Sequence, residues 1–164
     1  MGFLDSTQDL MADAKVKFTK GFFIFDKFDF NDLSNIIDKT NSNTVISSNY
    51  VYERILESCF QIKHVQENKF FQKIFEQLNS KYNKHNINAS IDIFFSFCAG
   101  GRSIAHKDIE NVVIFGLFGK TIYLIDGKDY TVEKGDILFI PKGITHRAVG
   151  ITPRIIGSFG TWQK

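Results

Sequence analysis

The sequence predicts a mainly β fold, a sandwich or barrel of short strands preceded by helices. Three observations carry that reading. Ten of the 12 glycines and both prolines fall between Gly100 and Gly160, whereas Phe22 to Ala99 contains neither. Glycine and proline mark turns, so the C-terminal half should be short strands joined by tight loops. From Ser90 onward, short apolar segments recur between those turns at near-regular spacing, which is the pattern of a sandwich or barrel. The strongest helical periodicity lies earlier, where Phe70, Phe71, Ile74, Phe75 and Leu78 fall on one face. No internal repeat or linker is visible. One domain is therefore expected over residues 1–164, mostly helical to residue 85, with the barrel from residue 86 onward.

Taken in order, a first helix is expected around Thr7–Val16, with Ser6 as its cap and Asp9 three residues on. Gly21–Asp26 carries no charge before its last residue and reads as an inner strand. A helix over Asp32–Asp38 should be capped by Asn31. Tyr50–Phe60 fits helix or strand, with helix favoured, and Gln66–Tyr82 is the best helix. The strands then run Ile91–Cys98, Ile104–Asp108, Asn111–Phe118, Thr121–Asp126, Tyr130–Val132, Asp136–Pro141, His146–Val149 and Arg154–Gly160. Turns at Phe118-Gly119-Lys120, Asp126-Gly127-Lys128 and Pro141-Lys142-Gly143 separate several of them.

Bulk properties exclude several functional classes. The length of 164 residues and the 18 phenylalanines allow a substantial core. The net charge of +2 is too balanced to suggest nucleic acid or a membrane surface. Asp5, Asp9 and Asp13 interrupt any apolar core of a signal peptide, and no apolar run is long enough to span a bilayer. Gly2 is a weak myristoylation signal. Cys59 and Cys98 lie in apolar surroundings without metal-ligand spacing, so two buried thiols in a reducing cytoplasm are expected.

Two motifs carry chemistry. In His106-Lys107-Asp108 on an expected strand, alternation would send His106 and Asp108 to the same face. Such a triplet alone is common. Gly135-Asp136-Ile137-Leu138-Phe139-Ile140-Pro141-Lys142-Gly143-Ile144-Thr145-His146 is far more specific. Gly135 permits the turn into a strand, Pro141 ends it, Gly143 allows a tight bend, and His146 opens the return strand pointing inward. Two histidines and one carboxylate leave open metal positions, the pattern of non-haem iron(II) oxygenases. Structural zinc would want a fourth protein ligand. Catalytic zinc or manganese with water ligands remains open. His64 and His85 are expected in exposed segments without a role.

The segment Gly135–His146 resembles the second conserved motif of the cupin superfamily, with Gly150 where many cupins have asparagine. The first cupin motif is only partly present. His106 is kept, Asp108 stands at the second histidine, Val112 at the glutamate, and Gly119 at the glycine. This resembles the jumonji-type and ribosomal-oxygenase-type cupins, whose signature is His-x-Asp with a distant histidine. The likeness runs from about Ile87 to Trp162. It implies a double-stranded β-helix, a metal site on His106, Asp108 and His146, and iron(II) with 2-oxoglutarate as cofactors. The function implied is that of an oxygenase hydroxylating an unidentified substrate.

The chain departs from those relatives where the cosubstrate's distal carboxylate binds. Jumonji-type relatives place Lys or Arg at the position of Thr121, and Lys120 beside it is expected to point outward. Ribosomal-oxygenase-type relatives have a hydroxyl residue at the position of Arg154. The two types are exchanged here, which suggests that Arg154, with Thr121, takes that carboxylate. A surface arginine beside Pro153 is the competing reading. Ser103 offers a further hydrogen bond to the cosubstrate or is simply a loop serine. Two other functions stay open: a metal cupin without 2-oxoglutarate, such as an isomerase or another dioxygenase, and a non-catalytic cupin binding a small ligand. Dimerisation through the sheets or the segment Phe18–Phe30 is an option, although core packing explains that segment better.

Overall fold

A computed structural model describes residues 2–3, 15–24, 27–39, 59–82 and 88–162. The expected helix at Thr7–Val16 falls mostly outside them, as do residues 50–58 and His85. Two antiparallel sheets face one another. The larger is formed by β2 (Lys17–Thr19), β4 (Phe60–Ile62), β5 (Asn88–Ser96), β6 (Asn111–Phe118), β9 (Ile137–Ile140) and β11 (Arg154–Trp162), in the order β2-β9-β6-β11-β5-β4. The smaller is formed by β7 (Thr121–Ile125), β8 (Lys128–Val132) and β10 (His146–Gly150), in the order β10-β7-β8. A two-residue pair, β1 (Gly2–Phe3) with β3 (Phe23–Ile24), completes the strands. This is the expected jelly-roll barrel with helices before it. The N-terminal part is less purely helical than expected, because β2 and β4 close the two edges of the large sheet.

The large sheet is buried on both faces, which is why its strands read as almost unbroken apolar runs. Odd-numbered residues of β5, β6 and β11, among them Ile91, Ile93, Phe95, Val113, Phe115, Ile155 and Phe159, form one core with Phe71, Ile74 and Leu78 of α2 (Lys69–Tyr82) and Leu33 and Ile36 of α1 (Phe30–Lys39). Even-numbered residues face the small sheet. Val112, Ile114 and Ile156 there meet Tyr123, Ile125 and Ala148 in a second core. One strand set thus carries a helix-covered structural face and a barrel-interior face, separated only by the two-residue period. Gly157 lets the strands close up, since a Cβ there would lie 2.1 Å from the Phe115 ring.

Local chemistry explains the element ends. α1 is capped by Asp29, not Asn31. The Asp29 carboxylate accepts the Asn31 amide at 2.8 Å, and Asp32 accepts the Asp29 amide at 2.9 Å, a reciprocal capping box. α2 starts at Lys69 because Asn68 accepts the Phe70 amide at 2.9 Å, and Val65–Glu67 before it is a 3₁₀ turn. Phe60, placed in a helix by the sequence reading, pairs instead with Phe95 in the sheet. Asp126 and Gly127, with φ of 48° and 73°, make the two-residue turn between β7 and β8.

The segment expected as strand Ile104–Asp108 is not a strand. It crosses the barrel mouth as an irregular chain touching β10 at two isolated bridges, Arg102 with Val149 and His106 with His146. Ladder pairing here is limited because residues such as Ile104, Lys107 and Ile109 stand exposed, leaving little apolar face to bury.

Candidate metal centre

Three backbone contacts bring the metal-ligand candidates together. The amides of His106 and His146 each donate to the other's carbonyl, at 3.0 and 2.9 Å. The Gly143 amide donates to the Asp108 carbonyl at 2.8 Å. The tight bend at Gly143, with φ of 78°, therefore fixes Asp108 as well as aiming His146. The convergence expected from strand alternation is achieved by cross-bridging to β10.

The side chains complete the arrangement. His106 Nδ1 lies 2.8 Å from the Ile104 carbonyl, and His146 Nδ1 lies 3.1 Å from the Ile144 carbonyl. A carbonyl only accepts, so both Nδ1 atoms carry the proton, and in the neutral rings both Nε2 lone pairs are free. Those Nε2 atoms face Asp108, at 3.7 Å for His106 and 3.4 Å for His146. One ligand atom from each of the three residues lies within 4.8 Å of the others. Burial holds the His146 imidazole below its ordinary pKa, favouring the neutral, metal-ligating form. His146 is buried and His106 is exposed, so the trio sits where the cavity opens. Two neutral imidazoles and one carboxylate suit a divalent first-row metal and leave positions for other ligands.

Beneath the trio, a cavity of about 230 Å³ runs between the sheets, lined by Tyr123, Ala148, Ile114, Ile156 and Arg154 among others. Arg154 is only 1% exposed, which removes the surface-arginine reading. Its Nη2 donates to Cys59 Sγ at 3.7 Å, while Nε and Nη1 are buried without a partner among the described residues. A buried cation left with unpaired donors is costly unless a ligand supplies the acceptors. Gly150 makes room for it, since a Cβ there would lie 2.9 Å from Nη1. A side chain at this position would make the guanidinium shift.

The other expected cosubstrate contacts fare differently. Thr121 is fully buried with its hydroxyl unpartnered, but it is not among the cavity-lining residues. Lys120 points outward to Glu133 at 2.8 Å, as expected. Ser103 lines the cavity, and its hydroxyl accepts the Ala148 amide at 2.9 Å, which ties the irregular segment to β10. Sequence reasoning missed Tyr123, Glu110 and Cys59. Burial pushes the Tyr123 hydroxyl up despite the opposing effect of Arg154, so it remains a protonated donor on the cavity wall. Burial, with repulsion from Asp108 and Asp92, also raises the Glu110 carboxyl. Tyr123 follows from alternation with Thr121 and Ile125 on β7, whereas nothing local to Cys59 reveals its position. Both cysteines are free thiols and half-buried, not the buried pair expected.

No protein-family model and no curated protein sequence matches the chain. Solved structures do. The Escherichia coli ribosomal oxygenase YcfD in complex with cobalt and succinic acid superposes with a TM-score of 0.69 at 18% identity, covering 92% of this chain and 48% of that one. YcfD with cobalt and 2-oxoglutarate gives 0.67 at 19% identity, with the same coverage. An RmlC-like cupin from Shewanella frigidimarina gives 0.51 at 14% identity, covering 75% of this chain and 87% of that one. The chain spans about half the length of the YcfD structures it matches. At these identities the likeness is one of fold: the barrel is a cupin barrel. Among the described residues, no helix is long and apolar enough to cross a membrane.

Proposed function

We propose that the protein is an iron(II)- and 2-oxoglutarate-dependent oxygenase that hydroxylates a substrate not identified by the sequence. His106, Asp108 and His146 would hold the metal, and Arg154 would take the distal carboxylate of 2-oxoglutarate. The observation that carries the reading is Arg154: a buried guanidinium with unpaired Nε and Nη1, in the wall of the cavity that the His-Asp-His trio overlooks. An anionic ligand reaching from trio to guanidinium would satisfy both ends at once. Iron(II), when bound, would supply the oxygen chemistry for which this ligand set is suited.

The protein's own residues have distinct tasks in this proposal. The Ile104 and Ile144 carbonyls hold the two imidazoles in the ligating tautomer. The Tyr123 hydroxyl donates a second hydrogen bond near the guanidinium, and Ile114, Ile156 and Ala148 keep water from the buried carboxylate. Ser103 positions the segment carrying His106 and Asp108. Thr121 is assigned packing beside Gly150, its β7–β10 register partner, in place of direct contact. The free thiols fit a reducing compartment such as the cytoplasm.

The test is calorimetry of 2-oxoglutarate with the manganese(II)-loaded protein, paired with succinate formation under iron(II) and oxygen. One 2-oxoglutarate per chain is expected, with Arg154→Ala binding it about ten- to a hundred-fold more weakly, the loss of one charge-assisted contact. A parent protein that binds metal but no 2-oxoglutarate would overturn the proposal in favour of a cupin that works without it.

A further inference from the structure

Cys59 stands apart from Cys98. Both thiols are free and half-buried, but only Cys59 lines the cavity, and only Cys59 touches Arg154. Its sulfur accepts from Nη2 at 3.7 Å and lies 4.0 Å from the Phe60 carbonyl. The guanidinium is 1% exposed, with Nε and Nη1 unpaired among the described residues. A part-exposed thiol on a cavity wall can be reached by a small oxidant, and beside a buried guanidinium with unpaired donors its oxygenated product would supply an acceptor that the thiol lacks.

We propose that Cys59 is a peroxide-sensitive modification site whose oxidised form occupies Arg154. The Cys59 sulfur attacks one oxygen of hydrogen peroxide, forming the S–O bond as the O–O bond breaks. The departing hydroxide takes up the former thiol proton and leaves as water. Sulfur is oxidised by two electrons, peroxide is reduced, and the product is a sulfenic acid that a thiol reductant returns to cysteine. Its oxygen projects toward the guanidinium. The consequence for 2-oxoglutarate, exclusion of its carboxylate from Arg154, rests on the function proposed above.

The test uses the full chain loaded with manganese(II), which avoids iron-driven peroxide chemistry. After brief exposure to hydrogen peroxide, sulfenic acid is trapped with dimedone and mapped by peptide mass spectrometry. Cys59 should label about tenfold faster than Cys98, and Arg154→Met should remove that preference. Succinate, added as an anionic probe before the peroxide, should slow labelling at Cys59 alone. Oxidised protein should lose 2-oxoglutarate binding measured by calorimetry, recover it with dithiothreitol, and Cys59→Ser should bind equally with and without peroxide. Equal labelling of the two cysteines, or a Cys59 preference that survives loss of Arg154, overturns the proposal. If the Arg154→Met variant does not fold, succinate protection in the parent decides instead, and its absence overturns the proposal. Arg154-dependent labelling in a protein that binds no 2-oxoglutarate supports the modification site and overturns the oxygenase reading alone.

Discussion

Replacing Arg154 with methionine should stabilise the ligand-free protein while removing its hold on an anion. In the free state Nε and Nη1 are buried without acceptors among the described residues, where Nη2 has only the weak acceptor Cys59. Each unsatisfied buried donor costs about 1–3 kcal/mol. Exchanging buried charged groups for apolar residues of similar size is often worth about 1–4 kcal/mol. Methionine is unbranched and flexible and can take the place of the arginine stem in the cavity wall. The cavity, at about 230 Å³, is large enough for water to solvate part of the charge, which favours the lower end of the range. A gain of about 1–2 kcal/mol follows, roughly 2–8 °C in Tm for a chain of this length. Urea unfolding of metal-free protein should show a raised midpoint with an unchanged slope. With manganese(II) and 2-oxoglutarate at a hundred times its Kd, the parent should gain about 2.7 kcal/mol over its metal-loaded state and the variant, binding ten- to a hundred-fold more weakly, only about 0.4–1.4 kcal/mol, so about half or more of the ligand's increment goes with the arginine. A ligand-free variant less stable than the parent by more than about 1 kcal/mol would refute the reasoning, because Arg154 would then be a satisfied structural residue.

Three further outcomes are expected. Gly150→Ala places a methyl group 2.9 Å from Arg154 Nη1 and should weaken 2-oxoglutarate binding about tenfold while leaving metal content intact, as calorimetry and metal analysis would show. His106→Ala or His146→Ala should abolish stoichiometric binding of manganese(II), about one ion per chain in the parent, and a double variant retaining full affinity would remove the site. Burial and the neighbouring Asp108 and Asp92 raise the Glu110 carboxyl above 4.5, so the folded protein holds that proton more tightly than the unfolded chain. The stability this contributes is present below pH 4.5 and is lost as pH rises through the folded value. Glu110→Gln should therefore raise the Tm of metal-free protein at pH 7 with little gain at pH 4, and equal shifts at both would contradict the charge account.

The barrel was legible because its signals are local. Four of the six glycines with positive φ among the described residues, Gly119, Gly127, Gly135 and Gly143, sit at turns named from the sequence. The His146 bend was readable for the same reason, since Gly143 and Pro141 leave that segment few conformations. What failed depended on tertiary partners. Residues 104–108 alternate plausibly, yet only isolated bridges form, and a strand needs a neighbour along its whole length. Asn31 and Asp29 are both good caps, and the reciprocal bond from Asp32 selects Asp29. Thr121 was placed by family offset. Its burial was foreseeable from alternation on β7, but which inward residue reaches the cavity depends on position along the barrel, and there it is Tyr123. Cys59 lies far in sequence from everything it touches across the cavity.

The two ends of the candidate site stand on different scaffolds, and that makes the proposed chemistry separable. The metal trio depends on bridges between β10 and one irregular segment, secured by Ser103, Gly143 and the paired amides of His106 and His146. Arg154 depends on the large sheet. It opens β11, the strand held between β5 and β6, next to the register shift at Ile155 and Ile156. Arg154, Ile156, Ser158 and Gly160 keep unbroken even-numbered alternation toward the cavity along β11, because the extra residue at the shift, Leu117, belongs to β6. Loss of a histidine should therefore leave the guanidinium in place, and loss of the guanidinium should leave the metal in place. An anion that needs both is held tightly only when both scaffolds are intact. Selectivity for a two-ended ligand then arises from barrel geometry, with no single residue recognising the whole molecule.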